Sequence, residues 1–94
     1  MKNYKTMEEV KADIKDNNLV INDDVTFEMK TLDIKEVSIK TGDINAGNIK
    51  AKKVEYYAVA FAYKNIKVQS IKGVREKARH FVLDGMLEVE DEKG

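Results

Sequence analysis

Apolar residues in the middle of the chain come in pairs two apart, as in Ile44-Asn45-Ala46, Ile49-Lys50-Ala51, Val54-Glu55-Tyr56 and Val59-Ala60-Phe61. A spacing of two puts both members of a pair on one face of a short strand. The pairs restart every five residues, through Ile34, Ile39, Ile44, Ile49, Val54 and Val59. An amphipathic helix needs a period near 3.6, so helix is a poor reading of this region. Between the pairs stand Gly42, Gly47, Asn48 and Asn65, residues suited to corners because they tolerate positive φ or bond their own backbone.

A second regularity is longer. The stretches Asn48-Ile49-Lys50 and Asn65-Ile66-Lys67 lie seventeen residues apart, and other positions keep their character at that spacing. Val20, Val37, Val54 and Ile71 form one apolar column, and Leu32, Ile49, Ile66 and Leu83 another. Phe27, Ile44 and Phe61 make a third that ends at Ala78, and Ile34, Ala51 and Val68 a fourth that Gly85 breaks. The neighbouring columns are polar: Asp33, Lys50, Lys67 and Asp84, then Lys35, Lys52 and Gln69. Three short strands per turn, separated by corners, predict an all-β chain with an N-terminal capping α-helix. The fold class is a short three-sided parallel β-solenoid (β-helix) of about 17 residues per coil, whose stacked turns lie about 4.8 Å apart.

Both ends depart from the repeat. Thr6-Met7-Glu8-Glu9 matches a Thr-x-x-Glu capping box, and Met7, Val10 and Ile14 fall on one helical face. This predicts a capping helix over 6–17, a lid for the first coil, with Asn17-Asn18 ending it. Coils then span 19–73, a loop or short helix 74–80, and terminal strands 81–90, within a single domain 1–94.

Composition narrows the chemistry. Ninety-four residues, 43% hydrophobic and 36% charged, suit one small globular domain. There are no cysteines and one histidine, which leaves no thiolate metal site and little for zinc or His-based catalysis. Neither a cofactor nor a metal is expected. No apolar run is long enough to span a bilayer, and MKNYKTMEEV does not resemble a signal peptide, so a cytoplasmic location is expected. No Gly-rich phosphate loop or nucleophile motif occurs. Asp23-Asp24 and Asp43 read as corner residues, Asp84 as a turn former beside Gly85, and the expectation is that the chain is not an enzyme.

Charge changes the picture of the surface. Net charge is zero, yet residues 1–36 carry −3, residues 50–79 carry +7 and residues 80–94 carry −4. A basic band is expected on the third coil and the loop after it. Lys50, Lys52, Lys53, Lys64, Lys67, Lys72, Arg75 and Arg79, together with Tyr57, form the candidate partner-binding surface, and Lys77 lies in the same stretch. A solvated lysine ladder is the plainer reading of the same residues. Tyr56, set under Ile39, and Tyr63 read as core aromatics, Tyr57 as an exposed interface residue. His80, placed in the column of Met29, Ala46 and Tyr63, reads as a satisfied capping histidine.

The run AGNIKAKKVEYYAVAFAYKNIKVQSIKGVREKARHFVLDG, residues 46–85, resembles a set of small proteins encoded by phages and mobile elements of Firmicutes. Those carry DIxAG-type tandem units, a YYAV-x-FAY segment, a SIKG…HF loop and a final LDG turn. Here the matching pieces are Gly42-Asp43-Ile44-Asn45-Ala46-Gly47 and the stretches 56–63, 70–81 and 83–85. The family pattern has cysteines where this chain has Ala60, Val68 and Val82, and fewer DIxAG units are present here. A more distant similarity is to bactofilins, polymer-forming bacterial scaffolds built as short β-helices. The resemblance implies a phage or mobile-element origin and brings no active site. The expected function is a non-enzymatic protein-interaction module, of the kind that inhibits a host defence system such as a CRISPR nuclease. Its partner would be that protein, in the host cytoplasm. A bactofilin-like scaffold that self-associates by coil stacking and a nucleic-acid binder using the basic band are the alternatives; no membrane partner is expected.

Overall fold

The structure is a computed structural model and describes residues 1–90. In chain order the elements are β1 (Lys2–Tyr4), α1 (Met7–Ala12), β2 (Asn18–Val20), β3 (Val25–Phe27), β4 (Thr31–Lys40) and β5 (Ile44–Ala46). There follow β6 (Asn48–Tyr56), β7 (Val59–Ala62), β8 (Ile66–Val68), β9 (Ser70–Gly73), β10 (Arg79–Val82) and β11 (Leu87–Val89). Every pairing between named strands is parallel. One sheet runs β1-β3-β5-β7-β10 and makes face I. The other runs β11-β8-β6-β4-β2, with β9 also on β6. It bends around a corner, because β4 and β6 each belong to two sides. Their first halves stack with β8 and β11 as face II, and their second halves with β2 and β9 as face III. The chain is thus a three-sided parallel β-solenoid.

The interior is a set of stacked columns. Leu32, Ile49, Ile66 and Leu87 lie in register on face II. Leu19, Ile39, Val54 and Ile71 do so on face III. On face I the inward columns are Val25, Ile44, Ala60 and His80, and Ala46, Ala62 and Val82. Tyr4 and Phe27 stack in register with ring centroids 5.5 Å apart, closing the first-coil end of that face. Leu19, Leu32, Val10 and Ile66 are wholly buried, and their removal from water is the main force holding the coils together.

The seventeen-residue step holds on face II between Leu32, Ile49 and Ile66 and on face III between Val54 and Ile71. Elsewhere it changes. Ile39 and Val54 are fifteen apart, Ile44 and Ala60 sixteen, Ala60 and His80 twenty. The shift on faces II and III arises at a bulge in β4 between Ile34 and Ser38, which absorbs extra residues at the corner. Several expected columns are corrected accordingly. Val20 is exposed and lies opposite Lys40, while its place is taken by Leu19. Leu83 is exposed, and Leu87 completes the face II column; Val89, not Gly85, stacks on Val68. Phe61 and Val59 point outward, since Ala60 and Ala62 occupy the interior. Tyr56 is buried as expected, but Val54 is the residue beneath Ile39.

Corners are built differently from expectation. Among the described residues no glycine has positive φ, which is found instead at Asp16, Asn17 and Lys77. What Gly47 supplies is closeness: a Cβ there would stand 2.7 Å from the Lys30 carbonyl oxygen of the previous coil. The asparagines bond the adjacent coil instead of their own backbone. Asn48 Nδ2 donates to Lys30 O, the Asn65 backbone N–H and Nδ2 both donate to Asn48 Oδ1, and Met86 N–H donates to Asn65 Oδ1. Carboxylates act in the same way at the opposite corner. Asp24 accepts from Asp43 N–H, and Asp43 accepts from the N–H groups of Ala58 and Val59.

The N-terminal helix has the expected capping box, with Thr6 Oγ1 accepting from Glu9 N–H and the Glu9 carboxylate accepting from Thr6 N–H. It ends at Ala12, well short of residue 17, because Asp16 and Asn17 adopt left-handed turn conformations. Ahead of it β1, which the hydrophobic pattern did not reveal, begins face I. Helix α1 therefore fills the place between β1 and β2 where every later described coil has a face II strand, and its Val10 joins the core. At the other end the irregular stretch is 74–78, since Arg79 and His80 already belong to β10.

Candidate functional site

The outer side of face I changes character along the solenoid. In register across β1, β3 and β5 the outward residues are Asn3, Thr26 and Asn45, all polar. Across β7 and β10 they are apolar or aromatic apart from Arg79. Val59 lies opposite Arg79 and Phe61 opposite Phe81, and the ladder continues past them, with Leu83 N–H donating to Ala62 O and Asp84 N–H to Tyr63 O. Val59, Phe61, Tyr63, Arg79, Phe81 and Leu83 thus form a flat grid of two strands by three residues.

This grid is solvent-facing: Tyr63 is 49% exposed, Phe81 41% and Leu83 64%. Phe61 and Phe81 pack with centroids 5.3 Å apart and planes tilted by 58°. Cations border it at both ends. The Arg79 guanidinium sits 5.9 Å from the Phe81 ring centre and Lys64 Nζ 5.1 Å from that of Tyr63. Lys64 also pairs with Asp84 at 2.9 Å, and that contact raises the lysine pKa. An exposed apolar strip rimmed by Arg and Tyr is the composition of a protein-contact surface.

The expected basic band is not one patch. Lys50 and Lys67 are outward neighbours on face II, and Lys53 lies on face III opposite Ser70, with Lys72 opposite Glu55. Lys52 stands at the corner between those faces, across from Gln69, whose N–H donates to its carbonyl. Tyr57, 54% exposed, and Arg75, whose N–H donates to Tyr57 O, occupy the corner before face I. Arg79 and Lys64 border the aromatic grid. The positive charge therefore encircles the middle coils and points in three directions. In the face II column it is bounded by acids, in the order Asp33, Lys50, Lys67, Glu88; Asp84, expected there, pairs with Lys64 instead.

Tyr63 is outward on the grid and not a core aromatic, because the small Ala60 and Ala62 take the inward parity of β7. His80 faces inward above Ala60, away from its expected column, and is satisfied: Nδ1 lies 2.7 Å from Tyr56 Oη. Burial lowers the His80 pKa and raises that of Tyr56, favouring the neutral form of each, and the imidazole tautomer sets which of the two donates. Sequence reasoning missed the grid because both parities of β7 are apolar and each parity of β10 pairs one apolar residue with one polar. The alternating alanines were the available signal, since a solenoid interior crossed by the Tyr56 ring leaves room on face I only for small residues.

Among the described residues no group of three or more His, Asp or Glu side chains could hold a metal ion, and no helix is long and apolar enough to cross a membrane. The fold and the grid together define a short, helix-capped β-solenoid with one aromatic outer face. No protein-family model, curated protein or solved structure matches the chain.

Proposed function

We propose that the chain is a non-enzymatic protein-interaction module whose contact surface is the aromatic outer face of β7 and β10. The observation that carries this reading is the grid itself: six outward side chains, four paired in register and Tyr63 and Leu83 carried by the hydrogen bonds that continue the ladder, aromatic at the centre and cationic at the rim, on a stacked scaffold that orders them before binding. The resemblance of residues 46–85 to phage-borne proteins supplies the setting, a small inhibitor that occludes a host defence protein. The test is co-purification from the host with wild type and with a Tyr63→Ser/Phe81→Ser double variant. One stoichiometric protein held by wild type and lost from a folded variant is the expected result. Equal recovery by both, or recovery of no stoichiometric protein, overturns the assignment.

A second reading, a self-assembling scaffold, draws on one observation: among the described residues β10 and β11 have no strand on their far sides. Head-to-tail stacking would have to displace α1 from the first coil and bring together two ends that both carry net negative charge. Sedimentation at rising concentration separates the readings, the first requiring a monomer.

A further inference from the structure

Apart from the aromatic face, the corner between faces II and III carries a groove of about 220 Å³ whose polar lining is Lys35, Lys50, Lys67, Gln69 and Glu90. The three lysines come from three successive coils. Lys50 and Lys67 are directly in register on face II, a like-charge placement that destabilises a sheet. Lys35 belongs to the β4 bulge, outside the regular ladder, and lines the same groove as the other two. None of the three makes an ion pair of 4 Å or less among the described residues, although Asp33 and Glu88 adjoin them in the column. Among the described residues, three lysines and a glutamine therefore line one concavity with a single carboxylate, Glu90, and with no ion pair holding any of the lysines.

We propose that this groove is a binding site for a compact, multiply charged phosphate anion, an oligophosphate either free or as the triphosphate of a nucleotide. Length decides between a compact anion and a polymer. Two coil steps of about 4.8 Å make the lysine run roughly 10 Å long. Carboxylates stand at both ends of the run, Asp33 in the same coil as Lys35 and in register with Lys50, Glu88 in the coil past Lys67, with Glu90 at the groove's edge. A phosphodiester backbone following the column would run onto carboxylates at both ends, whereas an oligophosphate of two or three units stays among the lysines and accepts a further hydrogen bond from the Gln69 amide.

The experiment titrates the full chain with sodium tripolyphosphate, a nucleoside triphosphate and a duplex oligonucleotide, reading affinity by calorimetry and melting temperature by circular dichroism. Tripolyphosphate is expected to bind at one site and raise the melting temperature. Lys67→Gln and Lys50→Gln should each weaken it about tenfold, consistent with loss of one charge-assisted contact. Glu90→Gln should tighten it, and Lys53→Gln/Lys72→Gln on face III should leave it unchanged. Equal weakening by the face III variant would show unspecific attraction and overturn the site, as would the absence of tripolyphosphate binding. Tighter binding of the duplex with the same dependence on Lys50 and Lys67 would overturn the compact ligand. Equal binding of tripolyphosphate and nucleoside triphosphate would show that the phosphate chain is the recognised part; a gain with the nucleotide would place its base against the neighbouring surface.

Discussion

Asn48, Ile49 and Lys50 recur in the next coil as Asn65, Ile66 and Lys67, and each pair meets in space with a different job. The isoleucines stack in the core, the asparagines bond each other at the corner, and the lysines stand side by side in water. Substitutions should separate these roles in urea denaturation. Ile66→Ala is expected to cost about 2–5 kcal/mol through lost burial and a cavity. Ile66→Asp, which buries a charge, should leave the domain unfolded given a total stability of roughly 5–15 kcal/mol. Asn65→Ala breaks the ladder that also holds Met86 N–H and should cost about 1 kcal/mol. Lys67→Glu should keep the fold with little net change in stability, since it trades the like-charge pairing with Lys50 for one with Glu88.

At the scale of elements, the two ends of the solenoid are closed by different chemistry. At the first coil α1 relies on its capping box, and Thr6→Ala should lower stability by about 1 kcal/mol. At the last coil β10 is anchored inward by His80, bonded to Tyr56. Burial depresses the folded-state pKa of His80 below its ordinary value of 6.5, while the unfolded chain recovers that value. Its stabilisation is therefore complete above the unfolded pKa and is lost as pH falls through the depressed folded value. Wild type should lose melting temperature as pH falls below 6.5 more steeply than His80→Gln. Parallel profiles for the two proteins would remove His80 from the account.

At the scale of the molecule, the solenoid is a rigid prism whose three outer faces are chemically distinct. Face I ends in an aromatic grid, face II carries a lysine run bounded by acids, and on face III the outward column Lys40, Glu55, Lys72 alternates in sign. Because the coils stack in register, a residue's face follows from its strand parity, so surfaces can be altered independently of the core. Tyr63→Ser/Phe81→Ser should abolish partner capture and leave the protein folded with a melting temperature lower by several degrees, since Phe81 gives up its packing on Phe61 while both positions are half-exposed.

The sequence by itself determined the solenoid, its three-sided section, the capping box and the stacking of residues 48–50 on 65–67. Those features rest on local alternation and on a repeat that side-chain type alone preserves. Only the tertiary structure decided where the repeat stretches. The bulge after Ile34 and the detour through 74–78 change coil length without changing which residue types look inward or outward, so no local pattern marks the new register. It also decided which parity of β7 and β10 is buried. Both parities of β7 are apolar and those of β10 are equally mixed, and the choice falls to the space left inside by Tyr56 and the neighbouring columns, which place Ala60, Ala62 and His80 within and Phe61, Tyr63 and Phe81 on the surface. The candidate site was hidden for the same physical reason: outward placement there is imposed by packing volume, which only the assembled coils define.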